Sequence, residues 1–410
     1  MKIFKFIVSN TFLKKPIIVV CTLCLFLLSN YIIFIAARSA ISTFQGYREI
    51  MQLNQEGNYT ANLDPSGEMK MDAINRNGIQ QVYNYLADNI KYAFFTDGFV
   101  AQVPNAYDME VTVAYVNEEY YELNPQFDVS RGNGLNFDYS LSGDGIEIPV
   151  LIGKGLSETY QPGSLITIED PALQKQINFK VQGILKPNMY HSLFYSLSSK
   201  RYYNFSLIVP VNEEFIRNSS NVGFQLQGLF DLILLQTSED KIDELHGLIQ
   251  DNLGLEFNFY TQTENISYIN EIYFNSLRII SVLTAVLTVI LTCLSIWGAL
   301  TGIRLMIKDF AINLFVGLSY SRLRKIMYGY YGIVFLFNLI VLFLITAYSR
   351  YGTWIRKDAS FATFGVLGVI GMDWLALLAV LIFDTVIGVL IVEIMMWRIK
   401  KVPISLGVIQ

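Results

Sequence analysis

Cysteine is scarce in this 410-residue chain: Cys21, Cys24 and Cys293 are the only three, and all fall inside apolar runs. The water-facing remainder can form no disulfide, which suits a bacterial exported domain better than a eukaryotic secretory one. Cys21 and Cys24 have the form of a CxxC pair, but inside an apolar run they read as small buried side chains. Histidine is scarcer still, with His191 and His246 alone, so neither a zinc site nor a cysteine nucleophile has its ligand set or base. No GxxxxGKS or GxxxxGKT loop occurs, so the chain has no P-loop of its own. The glycine-rich run GVLGVIG at 365–371 lacks the flanking strand and helix that a nucleotide loop needs. The many carboxylates read as a solvated acidic surface rather than a catalytic pair. The expectation is a chain that is not an enzyme and carries no cofactor or metal.

Charge is low, at 16% of residues, against 52% hydrophobic residues and a mean hydropathy of +0.38. That is too apolar for an ordinary soluble protein, yet only about a quarter of the chain lies in membrane-length runs. The formal net charge of −5 hides two opposite parts. Residues 45–276 hold 30 acidic and 13 basic residues, net −17, and the remainder holds 5 and 17, net +12. An acidic water-facing domain and a basic membrane base follow, and no nucleic-acid partner is expected.

In chain order, residues 1–16 place Lys2, Lys5, Lys14 and Lys15 before the first apolar run, as a cytoplasmic interfacial helix or as the plain basic flank of an anchor. Ile17 to Ala37 is free of charge and long enough to span, so 17–44 is read as the first transmembrane helix. A cleaved signal peptide competes, given Ala36, Ala37 and Ala40, but the run exceeds the usual signal core. Residues 45–276 form an extracytoplasmic domain. A helix is expected near 79–90 and strands at 111–116, 147–153, 164–168 and 177–185, from their respective periodicities. Strand 232–235, a helix capped by Ser238 and ended by Gly254, and strand 255–260 form the clearest unit. The aromatic-rich segment 186–204 is either a contact surface or a cluster packed on its own domain.

Residues 277–410 hold three further spans, about 279–303, 330–348 and 374–397. The expected fold is thus a membrane protein, α-helical with four transmembrane helices, with a large extracytoplasmic mixed α+β domain between the first and second. The lysine-rich start, the basic segment 304–328 and Arg398, Lys400 and Lys401 place both termini in the cytoplasm. Arg350, Arg356 and Lys357, in the short outer segment 349–373, argue the other way. Thr288, Asn338 and Asp384 fall at mid-span, roughly 15 Å from the ends at the helical rise. Such residues face helix interfaces or wet cavities, so they form either a polar path or a hydrogen-bonded lock between spans.

The segment 304–328 joins two spans and carries Arg304, Lys308, Arg322, Arg324 and Lys325 against Asp309 alone. Leu305, Phe310, Ile312, Phe315 and Val316 follow helical spacing up to Gly317, a residue suited to a helix C-cap, and a second helix starts after Ser319 or Ser321. A helix, a glycine corner and a second helix under the membrane present an apolar and a charged face to a partner.

The order of one span, a large outer domain and three spans resembles the FtsX/MacB-like permease family of ABC transporters. The segment 304–328 is the most specific match: Asp309 and Gly317 keep the family's eight-residue spacing from an acidic residue to a glycine, and Arg322, Arg324 and Ile326 follow. Asp309 stands where Glu is usual, and Leu314 where a basic residue is common. In the outer domain FDVSRGNGLNF, PVLIGKGLSETYQPGSLITI and INFKVQGIL resemble the MacB periplasmic core, and KKVPISLGVI resembles the family's basic-then-proline ending. The resemblance implies a bacterial inner-membrane permease, a homodimer or heterodimer, working with a separate ABC ATPase that binds ATP and Mg. Lys308, Asp309, Gly317, Arg322, Arg324 and Lys325 would form the ATPase-coupling loop. ATP-driven motion would pass to the outer domains (mechanotransmission) to export or expel a peptide-like or amphipathic substrate such as an antimicrobial peptide. The alternative is a regulatory module that activates an outer partner, an adaptor or cell-wall hydrolase, without transport; a membrane-anchored sensor or enzyme unrelated to ABC systems is a third class.

Overall fold

The computed structural model describes the chain apart from residues 1–15, 65–73, 125, 143–145, 194–195, 272–274 and 402–410. The expected interfacial helix at 1–16 and the proline-containing ending therefore lie outside the described residues, save Pro16, Lys400 and Lys401. The chain divides into two compact units, residues 1–41, 276–349 and 371–410 in one and residues 42–275 and 350–370 in the other. The first helix, α1 (Pro16–Leu53), contains the expected first span but continues well past it. No proline or glycine interrupts it from Ile17 to Gln45, so nothing in the sequence stops the helix where the apolar run ends.

The second unit then runs β1 (Tyr59–Leu63), α2 (Arg76–Asn89), β2 (Lys91–Ala93), β3 (Phe95–Gln102), β4 (Glu110–Val116), α3 (Glu118–Leu123), β5 (Val129–Gly132), β6 (Glu147–Ile152), β7 (Leu165–Asp170) and β8 (Lys175–Leu185). It continues with β9 (Tyr190–Leu193), β10 (Ser196–Tyr202), β11 (Ser206–Pro210), α4 (Glu213–Asn218), α5 (Val222–Phe230), β12 (Ile233–Leu235), α6 (Glu239–Leu253), β13 (Phe257–Thr261) and α7 (Gln262–Ile269). This is the mixed α+β domain the sequence leads one to expect.

Its strands form two larger sheets and a hairpin. One antiparallel sheet has the order β13-β1-β12-β2. The strand–helix–strand unit read from 232–260 is therefore a split one: α6 carries the chain from β12 to β13, and β1 lies between them. With β1-α2-β2 this makes two split βαβ halves, the ferredoxin-like arrangement. The seven-stranded mixed sheet is inserted between those halves in sequence, with the order β3-β4-β11-β6-β8-β5 and β7 also on β8. Strand β4 lies inside it, parallel to β11 and antiparallel to β3, and six of its seven residues are buried. That is why EVTVAYV reads as a near-continuous apolar run rather than an alternation.

Caps set the helix ends. Asn75, Asn117 and Asn212 each accept the backbone N–H three residues on, satisfying donors that a helix start leaves free. Gly254 ends α6 in the left-handed region at φ +63. Ser238 occupies the expected N-cap position of α6, but its side chain makes no capping bond.

The membrane-length helices of the other unit are α8 (Asn275–Phe315), α9 (Tyr320–Ile355) and α10 (Gly371–Lys401). With α1 they give four helices long and apolar enough to cross a membrane among the described residues. Phe26, Phe310, Leu323, Met327, Ile391 and Met395 share one buried cluster.

Candidate coupling site

The segment between the second and third spans is built from the ends of long helices rather than from two short ones. Nothing in residues 304–315 breaks a helix, so α8 runs on until Gly317, where φ reaches +104. There the N–H of Leu318 donates to the Asn313 carbonyl (3.0 Å) and that of Gly317 to the Leu314 carbonyl (3.1 Å). These are the paired bonds of a Schellman cap. A Cβ at Gly317 would meet nothing within 4 Å; the sign of φ alone makes glycine the fitting residue. Ser319 then caps α9, its Oγ accepting from the Arg322 N–H at 3.3 Å.

The five apolar residues of the segment divide. Phe310 is buried, whereas Leu305 and Ile312 are exposed and Phe315 and Val316 are 77% and 81% exposed at the corner itself. Arg322 and Lys325 are exposed as well, while Asp309 is half-buried. Arg324 reaches Glu393 of α10 (3.3 Å), whose other oxygen accepts from the Tyr328 hydroxyl (2.9 Å). Glu393 escaped the sequence reading; its signal is a lone carboxylate within VLIVEIMMW. The side chain of Lys308 lies outside the described residues. What results is an apolar knob flanked by cations on a fixed corner.

Of the three polar mid-span residues, two are buried. Asp384 on α10 accepts from the Asn30 amide of α1 at 3.0 Å, and the Asn338 amide of α9 donates to the Leu23 carbonyl of α1 at 3.4 Å. Thr288 is half-buried on α8, a helix whose neighbouring Val286, Leu287, Val289 and Ile290 are exposed. Asn30, within an uncharged run, is the partner that sequence reasoning missed. Nearer the α+β end of the same helices, Arg38 pairs with the fully buried Asp373 at 3.0 Å.

A buried charged cluster in the α+β unit was also not foreseen. Glu49, near the end of α1 and 1% exposed, meets His191 Nδ1 at 2.8 Å and accepts from the Ser192 N–H at 3.0 Å. Asp97 holds Arg201 at 2.6 Å. Burial by itself would lower the His191 pKa, but Glu49, Asp97 and Asp231 together hold it above its ordinary value. Burial pushes Asp231 up to about 6, with His191 opposing. Lys200 is lowered to about 8 by burial, against the pull of Glu49. His191 and Lys200 belong to the aromatic-rich 186–204 segment, where β9 and β10 pair as a hairpin and Tyr202 and Tyr203 are buried. Those rings pack on their own domain.

Two of the three cations that opposed the charge-bias reading have local partners. Arg350 is 6% exposed with its guanidinium 5.9 Å from the Tyr202 ring centre, and Lys357 pairs with Asp108 at 3.0 Å.

No family model and no curated protein matches the chain. Among solved structures, the extracellular domain of the noncanonic ABC-type transporter YknZ from Gram-positive bacteria is a weak match. It covers 50% of this chain and 100% of that one at 14% identity, with a TM-score of 0.30.

Proposed function

We propose that the chain is a permease subunit of the FtsX/MacB type, a multi-pass protein of a bacterial inner membrane with both termini in the cytoplasm. A separate ABC ATPase, binding ATP and Mg, docks on the corner between α8 and α9. The observation that carries this reading is that corner: the Schellman cap at Gly317 holds Phe315 and Val316 bare beside Arg322 and Lys325. Large apolar side chains this exposed, ringed by charge, are the composition of a protein contact.

Two further features support mechanical coupling. The last turns of α1 and α9 pack within the α+β unit: Ser42 Oγ donates to the Ser198 carbonyl (2.7 Å), Glu49 meets His191, and Trp354 lies edge-on to Phe205 and Phe364. Helices α1 and α9 each continue from a membrane-length apolar stretch into residues of that unit, so each is a covalent route by which motion of a span could reach it. Helix α8 leaves Val282, Leu283, Val286, Val289, Ile290 and Trp297 exposed along one face, consistent with a second permease, the same or different, beside it. The net −17 of residues 45–276 favours a cationic peptide-like or amphipathic substrate.

The reading is tested by co-expressing the chain with a candidate ABC ATPase and purifying through the permease. Arg322→Lys with Arg324→Lys keeps the positive charge that sets topology but alters the geometry of docking, so ATPase recovery should fall several-fold. Recovery and coupled hydrolysis at the wild-type level would refute the docking role.

A further inference from the structure

The segment between α9 and α10 ends in a tight turn whose central residues, Leu367 and Gly368, both have positive φ, +55 and +77. The Val369 N–H donates to the Val366 carbonyl across it at 3.1 Å. Two positive φ values in a two-residue turn are the pattern that favours Asn-Gly, because asparagine tolerates the left-handed region and is content in water. Here leucine occupies that place, and Val366 and Leu367 are 66% and 62% exposed. The turn is also held from below. The Asn188 side chain bonds both the N–H (2.8 Å) and the carbonyl (2.6 Å) of Phe364, Asn204 donates to the Ala362 carbonyl (2.8 Å), and Thr363 Oγ1 donates to the Gly368 carbonyl (2.7 Å). A strained backbone fixed this firmly, displaying two aliphatic side chains, points to a use for those side chains.

The chain itself says what covers them. On α9 the exposed side chains Phe337, Ile340, Leu344, Tyr348, Tyr351 and Ile355 recur every three or four residues, so an exposed apolar stripe continues to the end of that helix. Leu367 is four residues from Gly371, the start of α10, a reach of at most about 14 Å. Trp374, half-exposed in the first turn of α10, is the residue type enriched where a span meets the headgroups. The tip is thus tethered through the chain on both sides to helices of membrane length.

We propose that the 366–367 tip is a lipid contact, inserting Val366 and Leu367 into the headgroup–acyl boundary of the leaflet on the side of the α+β unit. It would anchor the 350–370 segment, whose Trp354 and Phe364 pack into the core of that unit, to the bilayer surface.

The test uses the full chain with Cys21, Cys24 and Cys293 changed to alanine, a nitroxide on Leu367→Cys, and reconstitution into phosphatidylcholine–phosphatidylglycerol nanodiscs. Val366→Cys is measured in parallel, so that poor folding of one variant does not decide the result. Relaxation by oxygen and by a water-soluble nickel chelate is compared with two references, Leu344→Cys on the apolar stripe of α9 and Asp243→Cys on the exposed face of α6. The expected result is an oxygen-to-nickel ratio several times that of Asp243→Cys and shifted toward that of Leu344→Cys. A nickel-dominated signal like that of Asp243→Cys overturns the proposal. So does a label inaccessible to both reagents, which would mean protein packing, or dipolar broadening relieved by unlabelled chain, which would mean contact between copies.

Discussion

Among single residues, the Glu49 carboxylate is the most consequential that sequence reading passed over. It is sealed from water, and its partners His191 and Ser192 lie on β9, far away in sequence. Because the His191 pKa is raised on folding, the pair's contribution is fully present below the unfolded value near 6.5 and is lost as pH rises through the folded value. Asp231, raised to about 6, acts in the same sense, since its ionised form is the one that burial disfavours. Lys200, lowered to about 8 by burial, opposes this only near the top of the range, so the α+β unit should unfold at a higher temperature at pH 6 than at pH 8. Glu49→Gln removes a charged hydrogen-bond acceptor, so it should cost about 1.5–3 kcal/mol and flatten that dependence. Thermal melts of the full chain across this pH range check both, and a wild-type melting temperature that rises from pH 6 to 8 would contradict the assignment. Asp384 makes a second case. Asp384→Asn can still accept from Asn30, whereas Asp384→Leu strands that amide at a cost of about 1–3 kcal/mol. Detergent melts should show the leucine variant weakened and the asparagine variant near wild type.

At the scale of elements, the most local signals were the most legible. The glycines at 254 and 317 end helices as expected because a C-cap depends on a few adjacent residues. The strands at 111–116, 147–153 and 177–185 follow from patterns contained within them. Less could be read where a contact joins distant residues: Asn30 with Asp384, Arg324 with Glu393, or β1 lying between β12 and β13. Helix ends also escaped, since an apolar run marks the part of a helix that lipid covers and says nothing of how far the helix continues. The corner at 317 is where element and function meet. With open space around its missing Cβ, Gly317→Val introduces no clash but sets a β-branched residue at φ +104, at a cost of at least about 1–2 kcal/mol. Topology and folding should survive, by accessibility labelling and melting, while coupled ATPase activity falls several-fold. Normal coupling would detach the corner from the mechanism.

Across the whole molecule, an acidic α+β domain and a basic set of spans divide the labour. With net −17 over residues 45–276, binding of a cationic amphipathic peptide to the reconstituted chain should weaken steeply between 50 and 300 mM salt, roughly as screening shortens the Debye length. Equal binding of an anionic analogue would point instead to a charge that serves only solubility. The central claim, that a separate ATPase grips the α8–α9 corner, is tested most directly by a photo-crosslinking amino acid at position 315. The side chain of Phe315 is 77% exposed, so the substitution disturbs no packing. In native membranes, irradiation should yield an adduct whose partner, by mass spectrometry, is an ATP-binding ABC subunit, and the same amino acid at Asp243 should not. Adducts with lipid alone at position 315, or none, would contradict the account.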